Sequence, residues 1–150
     1  QENYRRDPVS RTRAYPGITA ALAALSGAGV GLGVLSNKPH EFVVSLVDRF
    51  FPGLPFACVF GERPGIPRKP DPAAAAESLA RLGVDAGAVA YVGDAGSDMA
   101  FARACGFLPV GVLWGFRPAR ELEEGGAVRC FGEPARLAAW ILGDGGSGDS

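Results

Sequence analysis

The sequence predicts an α/β fold, a three-layer, Rossmann-like parallel sheet with helices on both faces. Three observations predict it. Short apolar runs alternate with helix-like segments along the whole chain. The runs are continuously apolar, as strands covered on both faces are. Glycines, 22 in 150 residues, gather where such runs meet helical segments.

The elements follow in order. Pro16-Gly17 opens a helix in which Ile18, Ala21, Leu22 and Leu25 recur at helical spacing, with Gly27 and Gly29 ending it. "VGLGVLS" is a strand. Pro39 starts a second helix, with Phe42, Leu46 and Phe50 on one stripe. "FACVFG" is the next strand. "DPAAAAESLARLG" is an alanine-rich helix with Asp71 as its N-cap and Gly83 as its stop. "AVAYVG" is the third strand, and 97–105 a short helix ending at Gly106. "PVGVLWG" is the fourth strand and "PARELEEGG" a short helix. Residues 127–131 read as a fifth, edge strand, and "EPARLAAWIL" as the closing helix. Residues 1–13 read as a linker, 14–142 as one core, and "GDGGSGDS" at 143–150 as a disordered tail.

Composition narrows the function. Lys plus Arg number 15 and Asp plus Glu 16, a formal charge of −1, so no nucleic acid or acidic membrane surface is called for. No apolar run is long enough to span a bilayer. Cys58, Cys105 and Cys130 have neither zinc spacing nor a disulfide pattern, which suits free thiols in the cytoplasm.

In sheets of this class, ligands bind beyond the carboxyl ends of the strands. Ser36-Asn37 follows "GLGVL". Asp94 follows "AYVG", with Asp98 one turn on. Lys69 lies in "GIPRKPDP", the loop before the alanine-rich helix. A hydroxyl, an amide, a cation and two acids suit phosphoryl transfer assisted by a hard metal ion. Mg2+ prefers carboxylate oxygens and keeps several waters, so Asp94 can bind it and Asp98 can hold a bound water or orient Asp94. A phosphate spreads its charge over several oxygens; Ser36, Asn37 and Lys69 can surround it with donors and positive charge.

Each residue also has a purely structural reading. Ser36-Asn37 can be a capping turn, Asp94 a turn closed with Gly93, and Asp98 a complement to a helix dipole. Lys69 can be a solvated loop charge. His40, the single histidine, reads as a cap or rim residue, Trp114 as packing, and the cysteines as small core residues.

Taken as an ordered set, "VLSNKP", "GIPRKPDP" and "YVGDAGSDMAFARACG" resemble the second, third and fourth motifs of the haloacid dehalogenase superfamily. "PVGVLWGFRPARELEEGGA" resembles its phosphoglycolate phosphatase-type branch. The likeness runs from about Tyr15 to Leu142. It implies a magnesium-dependent hydrolase of small phosphorylated metabolites, working through an aspartyl-phosphate. Ser36 then matches the phosphate-binding hydroxyl with Asn37 its neighbour. Lys69 matches the lysine that steadies phosphate and nucleophile, Asp94 the metal ligand, and Asp98 the supporting acid.

One motif departs from the family. The DxDGT-like nucleophile motif, expected on a central strand between those carrying Ser36 and Asp94, does not occur, nor does a helical cap. The expectation is a core lacking its first central strand and inactive alone, the nucleophile lying upstream. Unpaired strand edges would then invite a strand-supplying partner or a second copy. The alternative is a catalytically inactive binding or assembly module.

Overall fold

The computed structural model describes residues 17–69, 71–114 and 118–143. The expected linker at 1–13 lies outside them, as does the expected tail apart from Gly143. Along the chain run α1 (Ile18–Gly27), β1 (Leu32–Pro39), α2 (His40–Phe50), β2 (Phe56–Glu62), a 3-10 turn (Pro72–Ala75) leading into α3 (Ala76–Leu82), and a second 3-10 turn (Ala86–Ala88). Then come β3 (Ala90–Gly93), α4 (Gly96–Cys105), β4 (Leu108–Val112), α5 (Ala119–Glu124), β5 (Arg129–Phe131) and α6 (Pro134–Ile141).

All strand pairs are parallel, but the strands fall into two sheets. One is β1-β2, with Leu35 opposite Phe60. The other is β3-β4-β5, with Gly93 opposite Gly111 and Gly111 opposite Cys130. β5 is an edge strand, as expected. β1, which carries Ser36, and β3, which leads to Asp94, are end strands of separate sheets and do not pair with each other.

Two apolar layers bridge this break. On one face Leu35 of β1 and Tyr91 of β3 pack with Ala74, Ala75, Phe101, Ala102 and Phe107. On the other, Val34 joins Ile18, Val43 and Val47 from α1 and α2, while Val110, Val112, Phe131 and Leu137 form a neighbouring group; Trp114 touches both. The alternation of Val34 and Leu35 between faces is the two-residue period of a strand. Each fully buried Val, Leu or Phe contributes roughly 1.5–3 kcal/mol, so these layers set the two sheets' relative position.

Three local expectations change. The stripe on α2 is Val43, Leu46 and Val47; Phe42 is 44% exposed. Pro39 ends β1 and caps α2; of the expected stripe Leu46 is buried and Phe50 packs against the core, and Val43 and Val47, in place of Phe42, complete it. The alanine-rich segment opens as a 3-10 turn, with Asp71 accepting from Ala73 N at 2.9 Å as the expected cap, and Gly83 closes α3 at φ 70°. β3 is four residues long, shorter than "AVAYVG", because Ala88 belongs to the preceding turn.

No helix among the described residues is long and apolar enough to cross a membrane. All three cysteines are free. His40 accepts a hydrogen bond from Gly61 N at 3.1 Å and stacks on Phe60, fastening the end of β2 to the start of α2.

Candidate active site

Residues of β1, β3 and the first turn of α4 converge on the ammonium of Lys69, which lies in the segment after β2; Ser36 and Asn37 belong to β1 itself. Its Nζ donates to Tyr91 Oη at 2.7 Å and to the Leu35 carbonyl at 3.3 Å. It lies 3.7 Å from Asp98 Oδ1, an ion pair too long for a direct hydrogen bond. The rings of Tyr91 and Phe101 stand 5.3 and 5.6 Å away, within cation–π range. A single lysine therefore joins the middle of β1 to β3 and to the first turn of α4.

Burial pulls the Lys69 ammonium below its ordinary value. The charges of Asp98 and then Asp94 work in the opposite direction. Burial likewise raises the Asp98 carboxyl, while Lys69 and the N–H groups of Asp94 and Ala95 oppose the rise. Asp94 is close enough for its charge to act on both groups, which puts the two acids and the lysine in one electrostatic neighbourhood.

Asp98 organises the loop. Its Oδ2 accepts from Asp94 N at 3.2 Å and Ala95 N at 3.3 Å, reaching back from the third helical position to the N-cap. Ala95 has no side-chain acceptor, so only this half of a capping box forms. The next amide, Gly96 N, donates to Glu121 Oε2 at 3.1 Å, from α5. Two carboxylates thus satisfy three consecutive N–H groups that α4 itself leaves without partners.

Asn37 fills a different place from the one its type suggests. Its Nδ2 donates to Lys69 O at 3.1 Å, and its Oδ1 accepts from Lys69 N at 2.9 Å. The amide grips the backbone of Lys69 across 32 residues, and so holds the lysine loop against the end of β1. Ser36 Oγ accepts from Lys38 N at 3.1 Å, which leaves its hydroxyl proton to donate elsewhere. A cleft lined by Ser36, Asn37, Arg63, Arg68 and Lys69 opens beside these groups.

The five residues singled out in the sequence fall in this one region. Sequence reasoning missed Tyr91 and Glu121. Tyr91 sits in an apolar strand, where it reads as core, although its place two residues before Gly93 puts it on the face of the sheet that carries Lys69. Glu121 lies 25 residues from its partner, and no local signal marks it.

The donor chemistry fits a hard divalent cation. Asp94 is half-buried beside Asp98, and among the described residues no group of three or more His, Cys, Asp or Glu is placed to hold a metal ion by itself. With Asp98 committed to backbone amides and Lys69, Asp94 would hold the ion, and water or substrate oxygens would complete its shell. One or two carboxylates plus waters and phosphate oxygens is the usual manner of Mg2+.

Comparison with known proteins gives consistent matches. The haloacid dehalogenase-like hydrolase profile matches residues 3–106. A phosphoglycolate phosphatase of Rhodospirillum rubrum is 36% identical over 141 residues, 93% of this chain and 57% of that protein. One from Pseudomonas fluorescens is 34% identical over 113 residues, 75% of this chain and 42% of that protein. The chain thus spans roughly half the length of these relatives. A Lactobacillus delbrueckii subsp. bulgaricus crystal structure, provisionally named phosphoglycolate phosphatase, superposes with TM-score 0.79 at 38% identity, covering 86% of this chain and 54% of that one. A phosphatase structure from Clostridium acetobutylicum, so named by prediction, gives 0.77 at 25% identity, with 86% and 60% covered.

Proposed function

The chain belongs to the haloacid dehalogenase-like hydrolase family, and from that premise we propose that it serves a cytoplasmic, magnesium-dependent hydrolase of small phosphomonoesters, with phosphoglycolate the first substrate to try. The observation that carries this reading is the position of Lys69. Its half-buried ammonium stands between the Leu35 carbonyl, next to Ser36, and the carboxylate of Asp98 in the Asp94 loop. Phosphate recognition needs a fixed positive charge beside a hydroxyl donor, and a hard-metal ligand within reach of the same oxygens.

In this reading Ser36 donates its hydroxyl proton to a phosphate oxygen, its rotamer set by the bond from Lys38 N. Lys69 neutralises charge on the phosphate and holds the attacking carboxylate. Asp94 holds the ion, and Asp98 keeps the loop that carries Asp94 in place through the amides of Asp94 and Ala95. Bound magnesium would supply charge neutralisation at the phosphate. Removing one such preorganised donor typically costs about 3 kcal/mol of barrier.

The family's mechanism passes through an aspartyl-phosphate, and we place the nucleophile on a strand seated between β1 and β3. Both are end strands with one unpaired edge, both feed the same apolar layer, and Lys69 reaches both. A parallel strand there would join the two sheets into one and present its C-terminal end beside Lys69.

The test is hydrolysis of a generic phosphate ester and of phosphoglycolate by the product of the whole reading frame, with and without Mg2+. Magnesium-dependent turnover that Lys69→Met removes is expected. Turnover indifferent to both would sink the reading. Orthophosphate binding without turnover would instead identify a phosphate-binding module.

A further inference from the structure

We propose that Tyr91 is a positioning residue whose hydroxyl fixes the Lys69 ammonium and thereby sets how tightly the site holds a phosphate; the proposal rests on the phosphatase reading above. Lysine is a poor candidate for a fixed charge by itself. Its four-carbon stem is flexible, and the ammonium can point in many directions. Here the shortest polar contact of Nζ is to Tyr91 Oη, at 2.7 Å, against 3.3 Å to Leu35 O and 3.7 Å to Asp98 Oδ1.

The tyrosine ring is itself immobilised. It meets Phe101 edge-on at 5.2 Å and stacks on Phe107 at 6.0 Å, in the apolar layer that bridges the two sheets. Its hydroxyl is therefore a fixed point to which a mobile ammonium is tied. Burial and the charge of Asp98 both raise the phenol's pKa, so the group stays neutral. A neutral acceptor directs the lysine without cancelling its charge, as a carboxylate at the same distance would.

The count of donors agrees. An ammonium has three N–H groups, and two are used, on Tyr91 and on Leu35. The third has no partner at hydrogen-bond distance among the described residues, with Asp98 Oδ1 at 3.7 Å, and remains for a phosphate oxygen in the cleft that Ser36 and Lys69 line.

The test compares Tyr91→Phe, Lys69→Met and Phe107→Leu with the wild type, using the product of the whole reading frame. Orthophosphate affinity, kcat, KM and thermal midpoint are measured. Tyr91→Phe keeps the ring and removes one oxygen. The expected result is an unchanged fold, orthophosphate affinity weaker by about tenfold, and a comparable fall in kcat/KM, the scale of one hydrogen bond to a charged group. Phe107→Leu disturbs the ring stack but keeps the hydroxyl, and should lower the thermal midpoint while holding orthophosphate affinity within about twofold. Equal loss of affinity in both would reduce Tyr91 to packing and overturn the proposal. If Lys69→Met abolishes binding and Tyr91→Phe leaves it intact, the tyrosine's role is refuted and the phosphatase reading stands. If Lys69→Met changes nothing, the reading beneath the proposal fails.

Discussion

The carboxylate of Asp98 lies directly over Gly93. A Cβ built on Gly93 would stand 2.6 Å from both Cγ and Oδ2 of Asp98. The glycine that ends β3 thus makes room for the acid that orders the next turn. Gly93→Ala should push Asp98 off the amides of Asp94 and Ala95. The expected outcome is destabilisation of about 1–3 kcal/mol, the usual scale for overpacking, together with weaker divalent-cation binding. Urea unfolding and metal titration of the same variant check both.

Asn37 should act through Lys69. Its amide makes two hydrogen bonds to the Lys69 backbone, each worth about 0.5–1.5 kcal/mol net. Asn37→Ala is expected to lower stability by about 1–3 kcal/mol and to weaken orthophosphate binding. Asn37→Asp keeps the acceptor but sets a carboxylate against Lys69 O, and should be no better than Ala. Unfolding curves and orthophosphate titrations decide. Asn37→Ala with native stability would remove the clamp from the account.

Glu121 caps Gly96 N from a neighbouring helix. Glu121→Ala should cost about 0.5–2 kcal/mol, the range for lost helix caps. Glu121→Gln keeps an acceptor oxygen and should recover most of it. Hydrogen exchange at the Gly96 amide is the direct readout: faster in Glu121→Ala, near wild type in Glu121→Gln.

Phe101 is 1% exposed and touches Tyr91 and Phe107 in the layer that bridges the sheets. Phe101→Ala should destabilise by about 3–5 kcal/mol, measured by denaturant unfolding. A cost below about 1 kcal/mol would mean that this layer does not hold the sheets together.

The fold was largely legible because apolar period and Gly/Pro punctuation are local signals. β1, β2 and β4 read as continuous apolar runs, and Gly83 and Gly106 mark helix ends at φ 70° and 79°. Phe42 reads as core because it is apolar and four residues before Leu46, but Val43 and Val47 on the adjoining side of α2 are the residues that turn inward with Leu46. The site's residue types were visible, and their partners were not. Asn37 reads as a phosphate donor until its amide is seen on Lys69, 32 residues away. Tyr91 reads as core until its hydroxyl is seen on Lys69, 22 residues away. Hydrogen bonds of that sequence separation are products of the packed sheet, and no window of sequence contains both ends.

Calorimetric titration of Mg2+ into the wild type and Asp94→Asn, with Ser36→Ala as a control, bears most directly on the claim that this loop holds a divalent cation beside Lys69. Predicted are one bound ion in the wild type, affinity weaker by at least about tenfold in Asp94→Asn, and near-native affinity in Ser36→Ala. Equal affinities in the wild type and Asp94→Asn would contradict it.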